Sequence, residues 1–174
     1  MTDRIVDTNV PLVASGANCD ASPECQRKSV DAIKDVLDER TRLVIDDKWL
    51  ILREYMNKLN SSGQPRIGDE FLKWVLTNRS NTDRCLQVEI QCDQTGEPLG
   101  FPHTQELHSF DRSDRKFAVT ALEYIARNSP QKAPVLNATD SDWWHHRIPL
   151  AEAGIEIEFL CQDEILKWSS GVGR

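Results

Sequence analysis

Four acids stand out by type and position: Asp7, Glu54, Asp114 and Asp140. Asp7 ends a short apolar run, Arg4–Asp7, and Asp140 stands two residues beyond the run Pro134–Ala138. Both runs read as buried strands. In open α/β sheets, functional groups collect at the carboxyl ends of strands. A second run of this kind, Arg42–Asp46, is followed by a helical pattern that carries Glu54, and Asp114 lies in the first turn of a long helical pattern. Carboxylates gathered at one sheet edge repel each other, by on the order of 4 kcal/mol for a pair at ~4 Å and an effective dielectric of about 20. Such a cluster binds cations or shifts its pKa values. Oxygen donors without paired Cys or His suit Mg2+ or Mn2+. These ions activate water and steady a phosphoryl transition state. The chemistry within reach is phosphodiester hydrolysis, provided the fold brings the four acids together.

The elements that must position them alternate. Cys25–Arg40 carries Val30, Ile33 and Leu37 at helical spacing, after a polar loop at Asn18–Glu24. Asp46 and Asp47 end the second strand, and Asp47 is placed to cap the next helix, whose apolar positions include Leu50, Ile51 and Tyr55. Ser61–Pro65 breaks that helix. Ile67–Arg79 is again helical, and Cys85–Cys92 alternates as a half-buried strand does. Gln94–Pro102 reads as a loop, Ser113–Asn128 as a helix with Phe117, Ala121 and Ile125 on one stripe, Gly154–Leu160 as a strand and Gln162–Trp168 as a terminal helix. Strands alternating with helices give a three-layer α/β/α sandwich around a mainly parallel sheet of five strands. Residues 1–168 form one domain, with an elaborated middle region at about 61–108 and a flexible tail at 169–174.

Composition narrows the classes. No apolar run approaches the ~20 residues needed to span a bilayer, and Met1–Arg4 leads straight into a strand without a signal peptide; the expectation is a cytoplasmic protein. Five cysteines, an odd number, argue against a disulfide framework. The gaps in Cys19–Cys25 and Cys85–Cys92 are too wide for the paired ligands of a structural zinc; reduced, buried thiols are expected. A net charge of −7 opposes indiscriminate binding of duplex DNA. It is compatible with a small or structured RNA. Basic residues gather locally at Arg112, Arg115 and Lys116, where they could contact phosphate.

In order along the chain, four segments resemble the motifs of PIN-domain nucleases of the bacterial type. Ile5–Val10 is similar to their opening strand with Asp, a small residue and Asn. Leu43–Asp47 followed by Glu54-Tyr55 is similar to the second element, and Phe110–Ala121 to the third, an Asp opening a helix. Val135–Trp143 resembles the fourth, with Ile155–Phe159 as a closing strand. The resemblance implies that Asp7, Glu54, Asp114 and Asp140 hold Mg2+ or Mn2+, that Asp142 is an auxiliary acid, and that Asn9 and Thr139 orient ligands or substrate. Asp111 competes with Asp114 for the third position; the helical pattern begins at Asp114. The resemblance further implies an endoribonuclease in a toxin or defence setting, with a homodimer and an inhibitor or antitoxin protein as its partners.

Rival readings are weaker. Dehalogenase-type phosphatases also open with a strand and Asp but want an acid two positions on, where this chain has Asn9. Trp143-Trp144-His145-His146 reads as aromatic packing beside exposed imidazoles, since adjacent helical residues do not share a face. No motif supports a Ser–His nucleophile, and no phosphate-binding glycine loop occurs. The non-enzyme alternative is a degenerate domain that binds RNA or protein.

Overall fold

A computed structural model describes residues 1–17 and 20–170. The elements follow in the order β1 (Thr2–Val6), α1 (Asn9–Ala14), α2 (Pro23–Leu37), β2 (Thr41–Asp46), α3 (Leu50–Lys58), α4 (Ile67–Asn78), β3 (Cys85–Val88), α5 (Arg115–Asn128), β4 (Val135–Asn137), α6 (Ser141–His145), α7 (Arg147–Glu152), β5 (Ile157–Phe159) and α8 (Gln162–Ser169). The five strands form one parallel sheet in the order β3-β2-β1-β4-β5. Ile5, Val6, Leu43, Val44, Ile45 and Val135 are fully buried, as a parallel sheet covered on both faces requires. Connections from β1 through β3 step one way along the sheet, whereas those from β3 to β4 and β5 step the other. Right-handed crossovers therefore place their helices on opposite faces. Helices α1, α2 and α4 pack together, while α5 lies over β1 to β4. The result is the expected three-layer α/β/α sandwich.

Local sequence accounts for the helix starts. Ser22 accepts a hydrogen bond from the Cys25 N–H, and Pro23 fills the first turn of α2. α3 differs from expectation: the Asp46 carboxylate, not Asp47, takes the N–H groups of Leu50 and Ile51, at 2.8 Å each. Asp47 turns to the Ile90 N–H and to Lys48 instead. Gly68 lets α4 lie against α1, because a Cβ there would stand 2.5 Å from the Pro11 carbonyl oxygen.

Other expectations are corrected. The middle region is not wholly an elaboration: α4 packs on α1 and α2, and β3 is an edge strand of the sheet. The added segment is residues 89–111, which join β3 to α5. The last strand is three residues, not seven, since Gly154 turns the chain at positive φ before Ile155 enters the core. Ser169 belongs to α8 rather than to a tail; residues 171–174, and Asn18 and Cys19 of the expected loop, lie outside the described residues. Against expectation, Cys25 and Cys161 form a disulfide with Cα atoms 5.3 Å apart, joining α2 to the start of α8. Cys85 and Cys92 are free thiols; burial pushes Cys85 up to about 12. Among the described residues, no helix is long and apolar enough to cross a membrane.

The disulfide closes a loop spanning 136 residues of chain, so it restricts the unfolded ensemble strongly. Reduction, or Cys161→Ser, is expected to lower unfolding free energy by about 2–4 kcal/mol, read by urea denaturation with and without dithiothreitol. Superimposable curves would show that the bond does not hold α8 in place.

Candidate metal centre

β1 and β4 are neighbours whose outgoing connections leave in opposite directions, which opens a crevice at their carboxyl ends. Asp7 follows β1 directly, and Asp140 follows β4 after Ala138 and Thr139. Hydrogen bonds lock the two chain turns together. The Asp7 N–H donates to the Leu136 carbonyl at 3.0 Å. Asn9 Oδ1 accepts from the Ala138 N–H at 2.7 Å, and the Asp140 N–H donates to Asn137 Oδ1 at 3.0 Å. From the neighbouring α3, the buried Tyr55 hydroxyl donates to the Val6 carbonyl.

Asp7 is 4% exposed. Its Oδ1 accepts from the Asn9 N–H at 2.9 Å, and its Oδ2, shielded from solvent, has no hydrogen-bond partner among the described residues. Burial pushes the Asp7 carboxyl well above the ordinary range; the Asp114, Asp140 and Glu54 charges push the same way, and the Asn9 N–H opposes them. Asp114 is pushed up to about 7, first by burial, then by Asp140 and Asp111, with Lys116 opposing. Burial also raises Asp140, although it accepts the Asp142 N–H. Four acids from separate stretches of the chain therefore act within one electrostatic neighbourhood. Glu54 meets it already paired, its carboxylate against the ammonium of the buried Lys116. That ammonium also donates to the Ser113 carbonyl and lies 4.9 Å from the Phe117 ring centroid.

The donors fit a hard divalent ion in kind: carboxylate oxygens in a desolvated crevice, mutually repelling, one of them unpartnered. As the side chains stand, no group of three or more acid, histidine or cysteine side chains among the described residues is arranged to hold a metal ion. Glu54 is in addition held by the Lys116 ammonium.

The flanking residues take different places. Asp111 caps the short 3-10 turn Arg112–Asp114 by accepting from Ser113, and its N–H donates to Asp142 Oδ2 at 2.9 Å. Asp114 is the more buried of this pair. Thr139 is buried at the mouth of β4. Asp142 Oδ1 lies 3.1 Å from His146 Nδ1, and His146 Nε2 lies 3.1 Å from Ser109 Oγ. His146 also packs its ring edge-on to Phe110, so it is not the exposed imidazole expected, and a Ser–His–Asp chain exists that no sequence motif announces. It fastens the segment 89–111 to α6. Asn137 is fully buried, and its Nδ2 has no partner among the described residues; a polar residue inside an apolar strand was the one signal the sequence carried for it. Arg112 pairs loosely with Glu97 at 3.6 Å, Arg115 lies over Phe101 with Cζ 4.8 Å from the ring centroid, and Lys116 is turned inward rather than toward solvent.

No family model, curated protein or solved structure matches the chain.

Asp7 and Asp114 carry folded-state values above the unfolded 3.8. Their protonated forms fit the fold best, so this contribution is fully present below pH about 3.8 and fades as pH rises, for Asp114 through about 7. In EDTA, the melting temperature is therefore expected to fall between pH 5 and pH 8. Asp114→Asn should flatten that fall and raise Tm at pH 8 by several degrees, at about 2–4 °C per kcal/mol for a chain this size. A variant that melts lower than the wild type at pH 8 would contradict the repulsion.

Proposed function

We propose that this chain is a Mg2+- or Mn2+-dependent endoribonuclease of PIN-domain type. One observation carries the reading: Asp114, Asp140 and Glu54 together raise the cost of charging the buried Asp7, where the ends of β1 and β4 are hydrogen-bonded to each other. In this reading the four acids hold the ion. A bound ion supplies a lowered water pKa and a positive charge opposite the phosphoryl oxygens. Asn9, whose Oδ1 is committed to the Ala138 N–H and whose buried Nδ2 has no partner among the described residues, holds the two strand ends together, and Thr139 orients the substrate beside it. Lys116, once displaced from Glu54, offers its ammonium to the charge that builds on the leaving oxygen. Asp142 fixes the orientation of the 111 turn through its bond to the Asp111 N–H. The same resemblance extends the reading to a toxin or defence nuclease, a homodimer and a small inhibitor protein. A cytoplasmic setting belongs with it, although the Cys25–Cys161 bond weighs against a strongly reducing compartment.

A second reading is a degenerate domain that binds RNA or protein. The Lys116–Glu54 ion pair favours it, because an ammonium already neutralises one of the four acids.

With Mn2+ present, the wild type is expected to cut single-stranded RNA. Asp7→Asn and Asp114→Asn should each lose about a hundredfold or more in rate. A wild type that leaves RNA intact, or variants that cut equally well, would sink the nuclease. Calorimetric titration with Mn2+ separates the readings: no binding heat from the wild type supports the degenerate domain.

A further inference from the structure

The segment 89–111 builds a cavity of its own beside the acid crevice. The cavity is about 660 Å³ and is lined by His103, His108, Arg112 and Arg115 together with Pro102, Leu107 and two polar neighbours. No carboxylate lines it, in a protein whose net charge is −7. Its walls are held by packing. Phe101 and Phe110 stack with centroids 5.5 Å apart, and Phe110 meets Trp143 edge-on at 5.0 Å. Leu107 and both phenylalanines are buried. The Arg115 guanidinium lies across Phe101, reaches the His108 and Phe110 carbonyls only at 3.5 and 3.4 Å, and keeps a buried Nε without a partner among the described residues. Arg112 is common to this cavity and to a second one, whose lining includes Glu54 and Lys116. One arginine thus links the cationic cavity to the groove where Glu54 meets Lys116.

From this arrangement we infer that the cavity is a subsite for one nucleoside phosphate unit of a single-stranded RNA, flanking the position that is cut. Its phosphate sits on Arg112 and Arg115, its base against Pro102 and Leu107, and His103 and His108 offer ring nitrogens to the sugar and phosphate oxygens. The volume is within the range of ligand sites. Planar guanidinium groups suit phosphate by paired hydrogen bonds. The subsite rests on the nuclease reading for its orientation, but binding is measured apart from cutting.

The test is fluorescence anisotropy of a labelled single-stranded RNA in EDTA, where no metal-dependent cleavage occurs. Arg112→Ala and His108→Ala should each weaken binding about tenfold, and Arg112→Ala should lower the slope of log affinity against log salt by about one. Arg112 is largely exposed, so its removal spares the packing; the double variant His103→Ala/His108→Ala checks the opposite wall. Adenosine monophosphate should compete for the wild type and adenosine should not. Unchanged RNA affinity in all three variants overturns the subsite even if the enzyme cuts RNA. Equal competition by a polyglutamate peptide overturns it too, in favour of an acidic protein partner. Pocket-dependent binding by a protein that never cuts RNA with Mn2+ would uphold the subsite and remove the nuclease.

Discussion

A carboxylate shut away from water, with one oxygen lacking a hydrogen-bond donor, constrains everything around it. Asp7 holds that position at the end of β1. Burial alone makes its ionisation unfavourable, and Asp114, Asp140 and Glu54 make it more so. A fold does not keep such a group for stability, because a neutral residue of the same shape would relieve the repulsion. It tolerates the group because the rest of the sheet is covered and apolar, so that the loss at one edge is offset by burial elsewhere. The direction of the strands matters as much. Only a parallel sheet with its switch between β1 and β4 brings residues 7 and 140 to the same edge.

The surroundings are built to keep that edge in place. Asn9 spans from the first strand to the fourth, and Asn137 holds Asp140 by its N–H. Tyr55 ties α3 to the end of β1, and Glu54, the position before it, is held by Lys116. Lys116, reaching Glu54 from α5, spans the remaining side. The segment 89–111 is fastened into the same frame through Asp111, Asp142, His146 and Ser109. Movement in that segment and the placement of Asp140 at the start of α6 are therefore mechanically joined.

Much of this was legible in the residue order, for physical reasons. Strands buried on both faces read as unbroken apolar runs, so Ile5-Val6 and Leu43–Ile45 declared themselves. α2, α4 and α5 are long enough to show a helical period. Asp7 and Asp140 were legible because they stand just past such strands. α1 and α6, of six and five residues, are too short for a period to appear. The Cys25–Cys161 pairing depends on two elements meeting across the fold, which spacing along the chain does not encode. Lys116 looked like the neighbouring Arg112 and Arg115; only the packing of α5 against α3 turns it inward. The small apolar core of Phe101, Leu107 and Phe110 follows neither helical nor strand spacing, so its cavity had no signature.

These acids act on one another at one sheet edge, and the proposed divalent cation would resolve their repulsion. Carboxyl 13C titration by NMR addresses it directly. Without metal, Asp114 should titrate at about 7, and saturating Mg2+ should carry its midpoint down below the ordinary carboxylate range. An Asp114 that titrates near 3.8 and does not move when Mg2+ is added would contradict the account.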